Sequence, residues 1–126
     1  MINVYNATEQ TVQPGEALIF DGSNFRNKCS CGNNIIVGSG VYRIGLNLNS
    51  TPTVAGQITW NIVADNISVP GGEIQTPGTT VGIFENGSAE VIIITSGRTN
   101  IQVINNSENP VTVPANGASL VLKREG

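Results

Sequence analysis

Short β-rich runs alternate with glycine, proline and asparagine turn residues along the whole chain, so that no window of a dozen residues keeps a helical apolar stripe. The runs fall at residues 2–6, 17–20, 34–37, 41–49, 57–64, 79–84, 89–95, 99–105 and 118–123, with shorter pieces at 67–69 and 111–113. Starts about 8 to 12 residues apart are the spacing of an antiparallel sandwich or barrel. The core material agrees: with three Phe, two Tyr and one Trp, the interior must be built from Val, Ile and Leu. Their branched side chains suit a pleated surface. A length of 126 residues fits one domain, residues 1–126, large enough to bury a core without disulfides.

The punctuation is specific. Pro14-Gly15, Asp21-Gly22, Gly38-Ser39-Gly40, Pro70-Gly71-Gly72, Pro77-Gly78, Asn86-Gly87, Ser96-Gly97 and Asn116-Gly117 separate the runs. Asn and Gly both tolerate positive φ, so Asn86-Gly87 predicts a tight hairpin between 79–84 and 89–95, and Thr95-Ser96-Gly97-Arg98-Thr99 predicts the next.

Alternation assigns faces. Tyr42, Ile44, Leu46 and Leu48 share one side of their strand against Arg43, Gly45, Asn47 and Asn49, and Ile58, Trp60, Ile62 and Ala64 oppose Gln57, Thr59 and Asn61. Tyr42, Ile44, Leu46, Ile58, Trp60 and Ile62 are therefore core candidates. The run Val91-Ile92-Ile93-Ile94 breaks the pattern. Val91 and Ile93 are assigned to the core with Ala89 and Thr95, which leaves Ile92 and Ile94 on the face that carries Glu90 and Ser96. A strand apolar on both sides needs cover on both, whereas a two-layer sandwich covers one. A neighbouring subunit is the expected cover, a loop of the same chain the alternative.

Charge excludes some roles. Nine acidic and six basic side chains give a net charge of −3, and the basic ones are scattered at Arg26, Lys28, Arg43, Arg98, Lys123 and Arg124. No nucleic-acid footprint results. The longest strongly aliphatic run is residues 91–94, far short of a membrane span, and neither a signal peptide nor a targeting tail is visible, as expected of a mature or trimmed soluble chain.

Two stretches carry a resemblance. Residues 11–21 (TVQPGEALIFD) with 38–44 (GSGVYRI) are similar to the opening strands of the C1q/TNF-like jelly rolls of bacterial and phage structural proteins, and residues 101–106 (IQVINN), 111–113 (VTV) and 118–123 (ASLVLK) to their closing pair. The resemblance spans nearly the whole chain through degenerate β patterns. It implies an all-β, two-sheet antiparallel jelly-roll sandwich and a homotrimer with one sheet of each subunit facing a three-fold axis. It also implies a head on a virion, fibre or bacterial cell or spore surface, which would touch other surface proteins or a host glycan or receptor. Such heads often follow a collagen-like or coiled stalk. No Gly-X-Y or heptad repeat precedes the first run, so a removed stalk or a free-standing head is expected.

Catalytic chemistry has few candidates. Without any His, the commonest general base and metal ligand is missing, and no Ser-His-Asp or Cys-His arrangement is possible. All carboxylates except Glu90 fall in or beside expected turns or chain ends, so paired-carboxylate hydrolysis is not expected, and neither enzyme activity nor a cofactor is. Cys29-Ser30-Cys31 is the one oddity: two thiols this close are a poor disulfide and supply two of the roughly four ligands zinc takes. They are weak metal candidates, expected to be free thiols in a loop. Five Asn-X-Ser/Thr sequons, at Asn6, Asn49, Asn66, Asn86 and Asn105, are expected by-products of an Asn-rich composition.

The expectation is a non-enzymatic trimeric module with Ile92, Ile94 and Phe84 as contact candidates. The alternative is a monomeric carbohydrate-binding module using Asn-rich loops, with Trp60 as stacking platform if it is not core.

Overall fold

The computed structural model describes residues 2–23, 30–31 and 34–126, and among these every regular element is a strand. They are β1 (Ile2–Tyr5), β2 (Gln10–Val12), β3 (Gly22–Ser23), β4 (Ser30–Cys31), β5 (Asn34–Val37), β6 (Gly40–Pro52), β7 (Ile58–Ala64), β8 (Ile67–Thr76), β9 (Glu85–Thr95), β10 (Thr99–Asn105), β11 (Val111–Val113) and β12 (Ala118–Arg124). One sheet has five strands in the order β4-β5-β10-β7-β8. The other has seven, β2-β11-β6-β12-β1-β3, with β9 on the free side of β6. All pairings are antiparallel, and the two sheets form the jelly-roll sandwich read from the sequence.

Side chains alternating along β6, β7, β10 and β12 meet between the sheets. Ile44, Leu46, Leu48, Ile58, Trp60, Ile62, Ile101, Val103 and Leu120 are buried there. Trp60 keeps its indole N–H bonded to the Ser50 hydroxyl at 3.4 Å. Two fully buried asparagines fasten the ends of the sandwich. Asn6 donates through Nδ2 to the carbonyls of Pro114 (2.7 Å) and Thr8 (3.1 Å) and accepts from the Ala118 N–H (2.8 Å). Asn105 donates to the carbonyls of Val12 (2.9 Å) and Asn109 (3.3 Å) and accepts from the Ser107 N–H (2.9 Å). Buried amides persist because both ends are satisfied. The sequons at these two positions are thus structural fasteners.

Several readings of turns and runs are corrected. Asn86-Gly87 is not a hairpin but extended backbone inside β9, opposite Asn49 and Leu48 of β6. The glycine is there for space: a Cβ on Gly87 would lie 2.2 Å from Ile74 Cγ2 of β8, where the sheets approach each other. Asn86 meanwhile donates to Asn47 Oδ1 (2.7 Å) and Asn49 Oδ1 (2.8 Å) across the strand pair. Pro70-Gly71-Gly72 likewise lies inside β8, with Gly71 at φ 82° and a register shift in the β7–β8 pairing between Asn61 and Val63. An edge strand accommodates a proline and a bulge that a central one would not. Residues 79–84 form no strand; Gly78 and Gly82 have positive φ, and the Ile83 N–H closes a turn on the Thr80 carbonyl at 3.3 Å.

The tight hairpin is elsewhere. Asp65 (φ 49°) and Asn66 (φ 67°) link β7 to β8 with Ala64 opposite Ile67, the two positive φ values that a primed turn requires. Residues 96–98 join β9 to β10, but these strands belong to different sheets, so this connection crosses the sandwich. Of the expected run at 17–20 there remains an isolated bridge between Ala17 and Ile104, with Leu18 and Phe20 buried.

Candidate assembly surface

β9 borders the seven-stranded sheet, and its two sides have opposite environments. Val91 is buried and Ile93 half-buried against the core, while Ile92 is 55% and Ile94 83% exposed on the outer side. Antiparallel pairing sets Ile92 opposite Arg43 and Ile94 opposite Val41 of β6. The β7–β8 hairpin brings Ile67, 72% exposed, to the same place from the other sheet. Ile67, Val69, Pro70, Ile92, Ile93 and Ile94 line an open groove of about 470 Å³ between β8 and β9. No loop among the described residues covers it. Ile67 is absent from the sequence reading, since nothing local signals that a residue just after a turn will meet β9.

Phe84 does not join this cluster. It is 47% exposed in the loop before β9, and ten residues of extended chain set it about 33 Å from Ile94 along the strand. Exposed Val54, Val81 and Ile83 belong to the loops before β7 and before β9, which are linked by the Gly56 N–H donating to the Gly78 carbonyl at 2.9 Å.

Beyond the isoleucines, Val41 and Val121, the outer face around Arg43 is polar. Arg43 bridges Glu90 (2.6 Å) and Glu125 (3.0 Å), and the hydrogen bonds to Glu125 and then Glu90 raise the guanidinium's pKa further. These groups are well exposed, where an ion pair contributes little to stability but fixes side-chain positions. Gly45 leaves a shallow depression of about 370 Å³ beside Asn47, Ser88 and Glu90.

The remaining candidates are placed as follows. Tyr42, Ile44, Leu46, Ile58, Trp60, Ile62 and Val91 are buried and Ile93 is half-buried. Trp60 is 0% exposed, so it offers no stacking platform to a sugar. Cys29 lies outside the described residues, and Cys31 is placed only as part of the β4 backbone. Among the described residues no three His, Cys, Asp or Glu side chains gather in one place. Several carboxylates are tied to local donors: Glu85 accepts from the Gly78 N–H (2.7 Å) and Asp65 from the Asn100 N–H (2.8 Å). Asp21 accepts from the Ala7 N–H (2.5 Å) and the Thr8 hydroxyl (3.0 Å), and the Ala7 bond foremost holds its pKa below the usual aspartate value.

No protein-family model matches the sequence, and no curated protein matches it significantly. Solved structures do match in shape. The globular domain of zebrafish complement 1qA superposes with a TM-score of 0.73 at 9% identity, over 99% of this chain and 96% of that one. Murine APRIL, from a crystal at pH 5.0, gives 0.73 at 8% identity over 98% of each chain. The Eiger TNF of S. frugiperda gives 0.67 at 9% identity over 99% of this chain and 91% of its own. At such identities the likeness concerns the fold, and the fold of this chain is the C1q/TNF-like jelly roll.

Proposed function

We propose that the chain is a non-enzymatic presentation module that works as a homotrimeric head on a virion, fibre, or cell or spore surface. The observation that carries this reading is the uncovered groove formed by Ile67, Ile92 and Ile94. Their exposed area is equivalent to about two isoleucines, a gross association energy of about 3 to 6 kcal/mol per copy if water is excluded from it. Because Arg43, Glu90 and Glu125 lie on the adjoining face, the surface has an apolar centre and a polar margin, the composition of an interface rather than of an unfinished core. A second copy of the same fold supplies matching chemistry, and closed rotational symmetry lets every copy bury its groove. Three copies is the number that the C1q/TNF-like resemblance implies. A non-catalytic role is supported by the lack of any His and by the local engagement of carboxylates such as Glu85 and Asp65.

The test is the native mass in solution. Light scattering over a wide concentration range should give three times the 13.2 kDa chain. A particle of one chain at every concentration defeats the proposal.

A further inference from the structure

The outer face of the five-stranded sheet has its own concave site, away from β9. Two adjoining depressions of about 260 and 410 Å³ share Gly15, Asn66 and Ile104 in their walls. Side chains from β7 and β10 form the floor. Asn61 and Val63 point to the solvent side of β7, opposite Ile58, Trp60 and Ile62, yet are 8% and 6% exposed. The register shift between them and the longer β8 beside them sink this part of the strand beneath Asn66 and Ser68.

Asn61 is the unusual member. Its Oδ1 is buried and has no hydrogen-bond partner, whereas Asn6 and Asn105 have both amide ends engaged. A buried acceptor left unmatched is rare and asks for a reason. The two ends of the amide are nearly isosteric, so half a turn about its last torsion offers either a donor or an acceptor to the depression. Around it stand Asn66, Ser68 and Asn106, and Gln102 in the adjoining part. Each of these side chains both donates and accepts. Val63 and Ile104 provide an apolar patch between them. Glu16 is the one charged wall residue, and neither depression has a Lys or Arg.

We propose that this trough is a binding site for a neutral carbohydrate. Hydroxyl groups are themselves donors and acceptors and match a ring of amides and one serine; the C–H face of a sugar ring matches Val63 and Ile104. Without a cation in the walls, phosphate, sulfate or sialylated ligands have no counter-charge, and Glu16 repels them. The site belongs to the sheet face, with no part for the buried Trp60. It shares Ser68 with the edge of the groove proposed above for assembly and otherwise draws on different residues, and its test reads glycan binding rather than particle mass.

The experiment begins with the whole chain on an array of immobilised neutral and acidic oligosaccharides. The strongest neutral oligosaccharide is then titrated into isotope-labelled protein while the Asn and Gln side-chain amide signals are followed by NMR. The variant carries Asn106→Ala and Ser68→Ala, both exposed positions whose loss leaves the core intact, as an unchanged melting curve will verify. Neutral glycans should bind, the Asn61 amide signal should move on saturation, and the double variant should bind about tenfold more weakly. An array without neutral binders, binding confined to acidic glycans, an unmoved Asn61 signal, or a double variant of unchanged affinity each overturns the assignment.

Discussion

Replacing Ile92 by Asp tests the assembly at its centre. Just over half of this side chain is exposed in the single chain, so association would bury about half of an isoleucine, worth about 1 kcal/mol. The carboxylate would also have to leave water beside Ile94 and Ile67, which adds about another 1 kcal/mol after relaxation. Three symmetric copies multiply the effect to about 6 kcal/mol, or about 10⁴ in the equilibrium constant joining three chains. The isolated fold should hardly notice, since position 92 faces solvent opposite Arg43 and surface changes of this kind cost within about 0.5 kcal/mol. Sedimentation equilibrium on both proteins is the assay, with melting temperature recorded against concentration. The wild type should remain a trimer where the variant is monomeric, and its melting temperature should rise with concentration. Equal masses for the two proteins at every concentration would refute the reasoning.

Further predictions concern the sandwich itself. Gly87→Ala forces a methyl against the stiff Ile74 side chain and should lower stability by about 1 to 3 kcal/mol in urea unfolding. Asn105→Ala leaves the buried groups around Val12, Asn109 and Ser107 without their partner and should cost about 2 to 4 kcal/mol, seen as a clear drop in melting temperature. Asp21 has a lowered folded-state pKa, so its contribution is present above its unfolded value near about pH 4 and fades as pH falls through the folded one. In Asp21→Asn that part of the acid sensitivity should vanish from a series of urea curves.

What the sequence reveals follows from how locally each feature is caused. Strands β6, β7, β10 and β12 are legible because one wet and one dry side impose a period of two on adjacent residues. Gly87 is not, because the reason for it sits in β8 and is brought near only by the packing of the two sheets. The same holds for Pro70-Gly71-Gly72, which reads as a turn until β8 is known to be an edge. At the assembly surface, Ile92 and Ile94 stand out because an aliphatic run on a border strand contradicts the alternation around it. Ile67 cannot stand out, since its partners are on another strand of another sheet. Asn61 is legible only as a wet-side residue; its burial comes from the bulge beside it.

The position of β12 between β1 and β6 also governs when this molecule can come into being. Residues 118–124 are synthesised after both of the strands they join, so Ile2 waits for Leu122 and Ile44 for the same residue on its other edge. Until then the nascent chain holds two open sheet margins, vulnerable to strands from neighbouring polysomes. Closure of this sheet is therefore abrupt, and deleting residues 118–124 should yield insoluble material rather than a smaller folded product.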